Sequence, residues 1–180
     1  MQEPTLEQLR YPIGTFKVPE NIPDFVLRDW ITDISHLPAQ MKKAVEGLSE
    51  TQLELPYRPG GWTIRQTVNH TADSHMNAII RFKLALTEST PTIKPYEEHL
   101  WAELADGKNA PIEWSLILLE MLHQRWTMLL NSMKNADFEK KYYHPEVRKE
   151  SALRAVTGMY SWHGKHHVAH ITEFRKRSNI

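Results

Sequence analysis

The segment His163-Gly164-Lys165-His166-His167-Val168-Ala169-His170 brings four histidines into eight residues. On a helix His163 and His167 stand one turn apart on one face, as do His166 and His170, and two imidazoles at that spacing can hold one cation. Leu153, Val156, Tyr160, Ile171 and Phe174 mark the buried stripe of the same segment. His167 falls in the middle of that stripe and His163 at its margin, while His166 points well off it. The core-facing pair is therefore His163 and His167. A single buried histidine is ordinarily structural and satisfied by a carbonyl. Two on one apolar stripe must each find partners for both ring nitrogens, which is costly unless something binds them. Gly164 lies between them at a cost of about 1 kcal/mol relative to alanine, the kind of cost that a close approach of another element offsets.

Neither histidine pair carries the glutamate of HExxH, so a zincin-type peptidase is not indicated. The chain has no cysteine, which removes disulfides, a thiolate nucleophile and thiolate ligands together. Any metal must sit on His, Asp or Glu, and a tetrahedral site needs a third protein ligand. His36, His70, His75, His99, His123 and His144 are available. In the segment after Thr63, His75 lies on the apolar stripe and His70 shares a polar stripe with Ser74, Asn77 and Arg81. Spacing leaves His70, His75 and His123 equally good. Asp73-Ser74-His75 is not a hydrolase triad, because adjacent helical side chains point about 100° apart. Asp73, one turn from His70, and His166 are candidates for a base or a supporting group. Asn77 and Arg81 are candidates for orienting an anionic substrate, with a solvated helix face as the simpler account. Trp30, Trp62, Trp101 and Trp126 read as packing.

These side chains need long helices to hold them. Apolar residues from Val26 through Trp30, Ile34, Leu37, Met41, Val45 and Leu48 recur every three or four positions, predicting a first helix from about Pro23 that Pro38 kinks or splits. Thr63 and Gln66 match a capping box for a second helix from Ile64 to about Glu88. A third runs from about Pro111 to Lys134, with Leu116, Leu119, His123, Trp126 and Leu130 inside. Ser151 caps a fourth, which ends near Lys176 with basic residues at its negative pole. No stretch reads as a strand. The fold class is all-α, a four-helix bundle formed by one domain over 1–180, with residues 1–21 as an extended arm. The long connection from Ser89 to Asn109, between the second and third helices, carries a short helix around 97–104 and is the kind of loop that covers a site.

The chain has 180 residues, with 22 Lys plus Arg against 22 Asp plus Glu. That balance lacks the positive excess of a nucleic-acid binder. No apolar run reaches membrane-span length, and no secretory h-region opens the chain, so the expectation is a cytoplasmic protein with no membrane partner. Phosphate loops, GxSxG and dinucleotide fingerprints are missing.

Three groups of residues carry a family resemblance: Gly60-Gly61-Trp62-Thr63-Ile64-Arg65-Gln66, then Asn69-His70-Thr71-Ala72-Asp73-Ser74-His75-Met76-Asn77, and Trp162-His163 through His167-Val168-Ala169-His170-Ile171. With Tyr11-Pro12-Ile13-Gly14, Arg81-Phe82-Lys83-Leu84, Arg125-Trp126-Thr127 and Tyr143-His144-Pro145 they resemble the DinB-like superfamily, and within it the YfiT group of metal-dependent hydrolases. The resemblance spans nearly the whole chain. It implies an unusual four-helix bundle binding one divalent metal per chain, zinc or nickel, through His70, His163 and His167, with water completing the shell. It thereby prefers His70 over His75. It also implies a homodimer acting on a small-molecule substrate, either as a hydrolase or as a transferase joining a thiol such as bacillithiol to an electrophile. Three neutral imidazoles leave the ion its full charge and an open position, so bound water or thiol ionises near neutral pH. The competing class is a non-catalytic binding module that the metal holds together, for which four protein ligands are the norm.

Overall fold

The computed structural model describes residues 4–180; the first three residues of the expected arm lie outside them. In chain order the elements are α1 (Leu6–Arg10), α2 (Asp24–Val45), α3 (Glu50–Leu53), α4 (Ile64–Thr87), α5 (Glu98–Trp101), α6 (Ala105–Asn109), α7 (Ile112–Ser132), α8 (Asn135–Phe138), β1 (Lys141–His144), β2 (Lys149–Ala152) and α9 (Leu153–Ser178). The four long helices α2, α4, α7 and α9 make a bundle. Around it α2 packs on α7 and α9, and α4 packs on the same two. Consecutive long helices α2 and α4 therefore stand on opposite corners, which periodicity does not reveal.

Local rules set the ends of these helices. Thr63 Oγ1 accepts from the Gln66 amide while Gln66 Oε1 accepts from the Thr63 amide, closing the expected capping box on α4. Arg175, Lys176 and Arg177 occupy the last turn of α9. One core cluster includes Ile34, Phe82, Trp126, Leu130 and Leu153; a second includes Met41, Ile64, Val68, Leu119 and Ile171. The two glycines of α9 permit close approach to α2. A Cβ on Gly164 would lie 2.7 Å from Leu37 Cδ2, and one on Gly158 would lie 2.7 Å from the Trp30 ring.

Several expectations require correction. The helix through Pro38 is unbroken, because the partner that the Ile34 carbonyl loses to proline is supplied from α7. Its buried face starts at Leu27 and Ile31 rather than at Val26 and Trp30; Trp30 instead fills the space over Gly158 and meets Phe16 of the arm. The arm is not wholly extended, since Thr5 and Gln8 cap the short α1. The connection 89–109 holds two short helices, α5 and α6, and these fasten onto α4. Gln66 Nε2 donates to the Ala102 carbonyl, and Asn69 Nδ2 donates to those of Asp106 and Gly107. An antiparallel hairpin, β1 with β2, precedes α9. Its polar strands lack alternation, so no period-2 signal marks them. Ser151 is consequently paired with Tyr142 in that hairpin and does not cap α9, whose N-cap is Ala152.

Candidate metal centre

α4 and α9 lie side by side, and each contributes imidazoles to one point. The ligand atoms of His70, His163 and His167 all lie within 4.8 Å of one another. Ring centroids are 4.5 Å apart for His163 and His167, 5.0 Å for His70 and His167, and 5.6 Å for His70 and His163. The Nε2 atoms of His163 and His167 face each other at 3.2 Å. Two nitrogens each about 2.1 Å from one ion, at angles from about 90° to tetrahedral, stand about 3.0–3.4 Å apart, so the pair fits a shared divalent cation. Burial first, and then repulsion from neighbouring histidines including His170, lower the basicity of all three rings: His70 to about 4, His163 to about 3, and His167 well below the ordinary value. They are neutral at pH 7, the state in which imidazole is a ligand. No fourth side chain among the described residues joins this group.

The surroundings are aromatic. Trp62 lies over His70 at 4.4 Å and reaches His167 at 6.4 Å, so it belongs to the site's wall rather than to general packing. Its position next to the capping Thr63 was the available signal. His75 is fully buried, with Nδ1 3.0 Å from His123 Nε2 and Nε2 3.1 Å from His163 Nδ1. Neither His75 nor His123 belongs to the triad of converging ligand atoms; they stand behind it. His167 Nδ1 is buried without a partner among the described residues.

His166 lies off the side of α9 that carries His163 and His167, yet it is buried, because the arm covers it. It stacks on Trp162 at 4.4 Å and on Tyr11 at 5.8 Å. His170 beside it bonds the Arg10 carbonyl at 2.9 Å, and Trp162 Nε1 donates to the Gly14 carbonyl. The arm thus lies along α9. Asp73 is half-buried, and burial together with nearby Asp106 raises its carboxyl to about 6. Asn77 donates Nδ2 back to the Asp73 carbonyl.

The polar stripe of α4 turns inward at His70, Ser74 and Arg81, while Asn77 is half-buried. His70 and Ser74 are buried, and Arg81 is only 9% exposed. Among the described residues Arg81 Nε has no partner, and its Nη1 has only the Tyr160 hydroxyl at 3.5 Å. Tyr96, Tyr142, His144 and Tyr160 all feel its charge.

Residues 34–171 match the model of the DinB superfamily. A Bacillus cereus (strain 03BB102) protein named "Putative metal-dependent hydrolase" is 53% identical over 174 residues, covering 97% of this chain and 99% of that protein. A Bacillus mycoides (strain KBAB4) relative of the same description is 51% identical over the same shares. Among solved structures, YfiT from Bacillus subtilis, described as "a probable metal-dependent hydrolase with an unusual four-helix bundle topology", superposes with a TM-score of 0.94 at 48% identity. That match covers 96% of this chain and 98% of the other.

Proposed function

The chain belongs to the DinB superfamily, and from that membership and the geometry of the centre we propose that it is a metal-dependent enzyme. His70, His163 and His167 hold one divalent ion, zinc or nickel, and the nucleophile activated there is a low-molecular-weight thiol of the bacillithiol type attacking a small electrophile. The observation that carries the reading is the convergence of three neutral imidazoles with no fourth protein ligand among the described residues. A bound divalent ion would supply a Lewis-acid position at which water or a thiol ionises near neutral pH.

The chain's own residues do the rest. Trp62 covers His70 and His167 and shields them from bulk water, while the arm with Tyr11 covers His166. Arg81, buried and with its Nε unpaired among the described residues, orients an anionic group of the substrate; Asn77 directs one amide N–H at its own helix and adds less. The thiol is favoured over water because its ordinary pKa, about 8.5, leaves little work for a general base. Hydrolysis is the second reading, supported by Asp73, whose carboxyl at about 6 accepts a proton close to neutral pH. His166, packed between Trp162 and Tyr11, is the lesser candidate for that role.

The deciding experiment supplies bacillithiol, cysteine or glutathione with a chromogenic electrophile, and separately a panel of esters and amides, with His163→Ala as the blank. Metal-dependent thiol addition exceeding hydrolysis is expected. Robust hydrolysis without a thiol effect establishes the second reading, and no metal-dependent turnover of either kind leaves a binding module. A homodimer belongs to the same proposal, supported by the exposed apolar run Trp114, Ile117, Leu118 and Met121 on α7. Light scattering should give the dimer mass at micromolar concentration, and Trp114→Glu with Ile117→Glu should give the monomer.

A further inference from the structure

Pro38 has no N–H, so the carbonyl of Ile34, four residues earlier in α2, has no partner within its helix. His123 of α7 takes it, with Nδ1 2.6 Å from that oxygen. A carbonyl only accepts, so the proton of His123 is on Nδ1. The ring is 1% exposed, and a neutral imidazole so protonated leaves Nε2 bare. His75 Nδ1, 3.0 Å from that Nε2, must then donate, which bares His75 Nε2. His163 Nδ1, 3.1 Å away, must donate in turn, and its remaining nitrogen, Nε2, is the one that faces His167.

We infer that His123 and His75 are positioning residues for the metal centre: the carbonyl that Pro38 frees in α2 sets the proton on Nδ1 of three imidazoles in series and presents His163 with a lone pair on Nε2. The inference rests on the metal-site reading above but adds residues outside the ligand set. Each ring nitrogen of His123 and His75 is paired, which is what burying them requires. Trp126 meets the edges of both rings at 5.7 Å and Tyr160 meets His75 at 5.2 Å, fixing their planes. Groups behind a ligating histidine fix its tautomer, and their loss ordinarily costs about 10–100-fold in metal affinity. Here the support is itself a pair of histidines, anchored on backbone across the bundle.

The test begins with metal-free wild-type protein carrying 15N-histidine. Long-range proton–nitrogen correlations should show His123, His75 and His163 as Nδ1–H tautomers. In His123→Leu the chain loses its anchor, His75 is free to reverse, and part of the His163 population should move to Nε2–H. Affinity for zinc, measured by competition with a chelating dye, should fall about 10–100-fold. His123→Gln, whose amide can donate to Ile34 and accept from His75, should stay within about threefold of wild type. Leu130→Ala, a core truncation on the same helix, should lower stability and leave affinity and tautomers unchanged, as any merely structural change would. An Nε2–H His163 in wild-type protein overturns the inference, as does His123→Leu binding zinc within about twofold of wild type. Should His123→Leu fail to fold, the wild-type tautomers decide alone. They are read without metal or substrate, so a protein that catalyses nothing, or in which His70→Ala keeps its metal, fails the earlier reading and not this one.

Discussion

At the scale of single residues, direction matters more than type. Ten histidines are present, and the spacing of two of them already selects one face of α9. His70→Ala, His163→Ala and His167→Ala should each abolish binding of the divalent ion, read by elemental analysis of the purified protein. His166→Ala should retain close to one ion per chain, because that ring lies under the arm between Tyr11 and Trp162. Equal loss in all four variants would contradict the geometry. His166 is nonetheless buried, which periodicity did not indicate: the cover comes from residues about 150 positions away in the chain.

At the scale of elements, the centre depends on how closely α9 approaches α2 and α4. A Cβ at position 164 would meet three atoms of the buried Leu37 at 2.7–3.2 Å. Overpacking of that kind costs about 1–3 kcal/mol, against about 1 kcal/mol gained in helix propensity. Gly164→Ala should therefore destabilise the protein by about 1 kcal/mol in denaturant unfolding, and it should also weaken the metal site, since His163 is the adjacent residue. A more stable variant would show that Leu37 moves aside freely. The glycine's purpose could be suspected from its place between two histidines, but the atom it avoids could not.

For the whole molecule, both core clusters are apolar side chains packed without help from the centre. Stripping the metal with a chelator should remove activity and leave the helical circular dichroism in place. The stripped protein should lose stability in mild acid. His123 and His170 are each held at about 4 by burial, whereas an unfolded histidine titrates near 6.5. Between those values the unfolded chain binds more protons, so stability is fully present above about pH 6.5 and falls progressively as pH drops towards 4. Thermal melts from pH 8 to pH 4 should show that decline; a flat profile would mean these rings are protonated in the folded state. No helix of the described residues is long and apolar enough to cross a membrane.

Features that depend on neighbours along the chain are readable from local pattern. The long helices follow from 3.6-residue periodicity, the start of α4 from Thr63 and Gln66, and the pairing of His163 with His167 from one helical turn. The family, with its fold class, was likewise legible in local motifs. The packing of the whole chain chose which faces meet. It set α2 diagonal to α4, turned the polar stripe of His70, Ser74 and Arg81 inward, and placed His75 and His123 behind the three converging histidines rather than among them. It also paired the hairpin strands, whose side chains carry no alternation. The reason is physical: a helix's own pattern states which residues share a face, but the partner of that face is chosen by packing all the faces at once, and the unpaired carbonyl left by Pro38 finds its donor only when α7 arrives beside it.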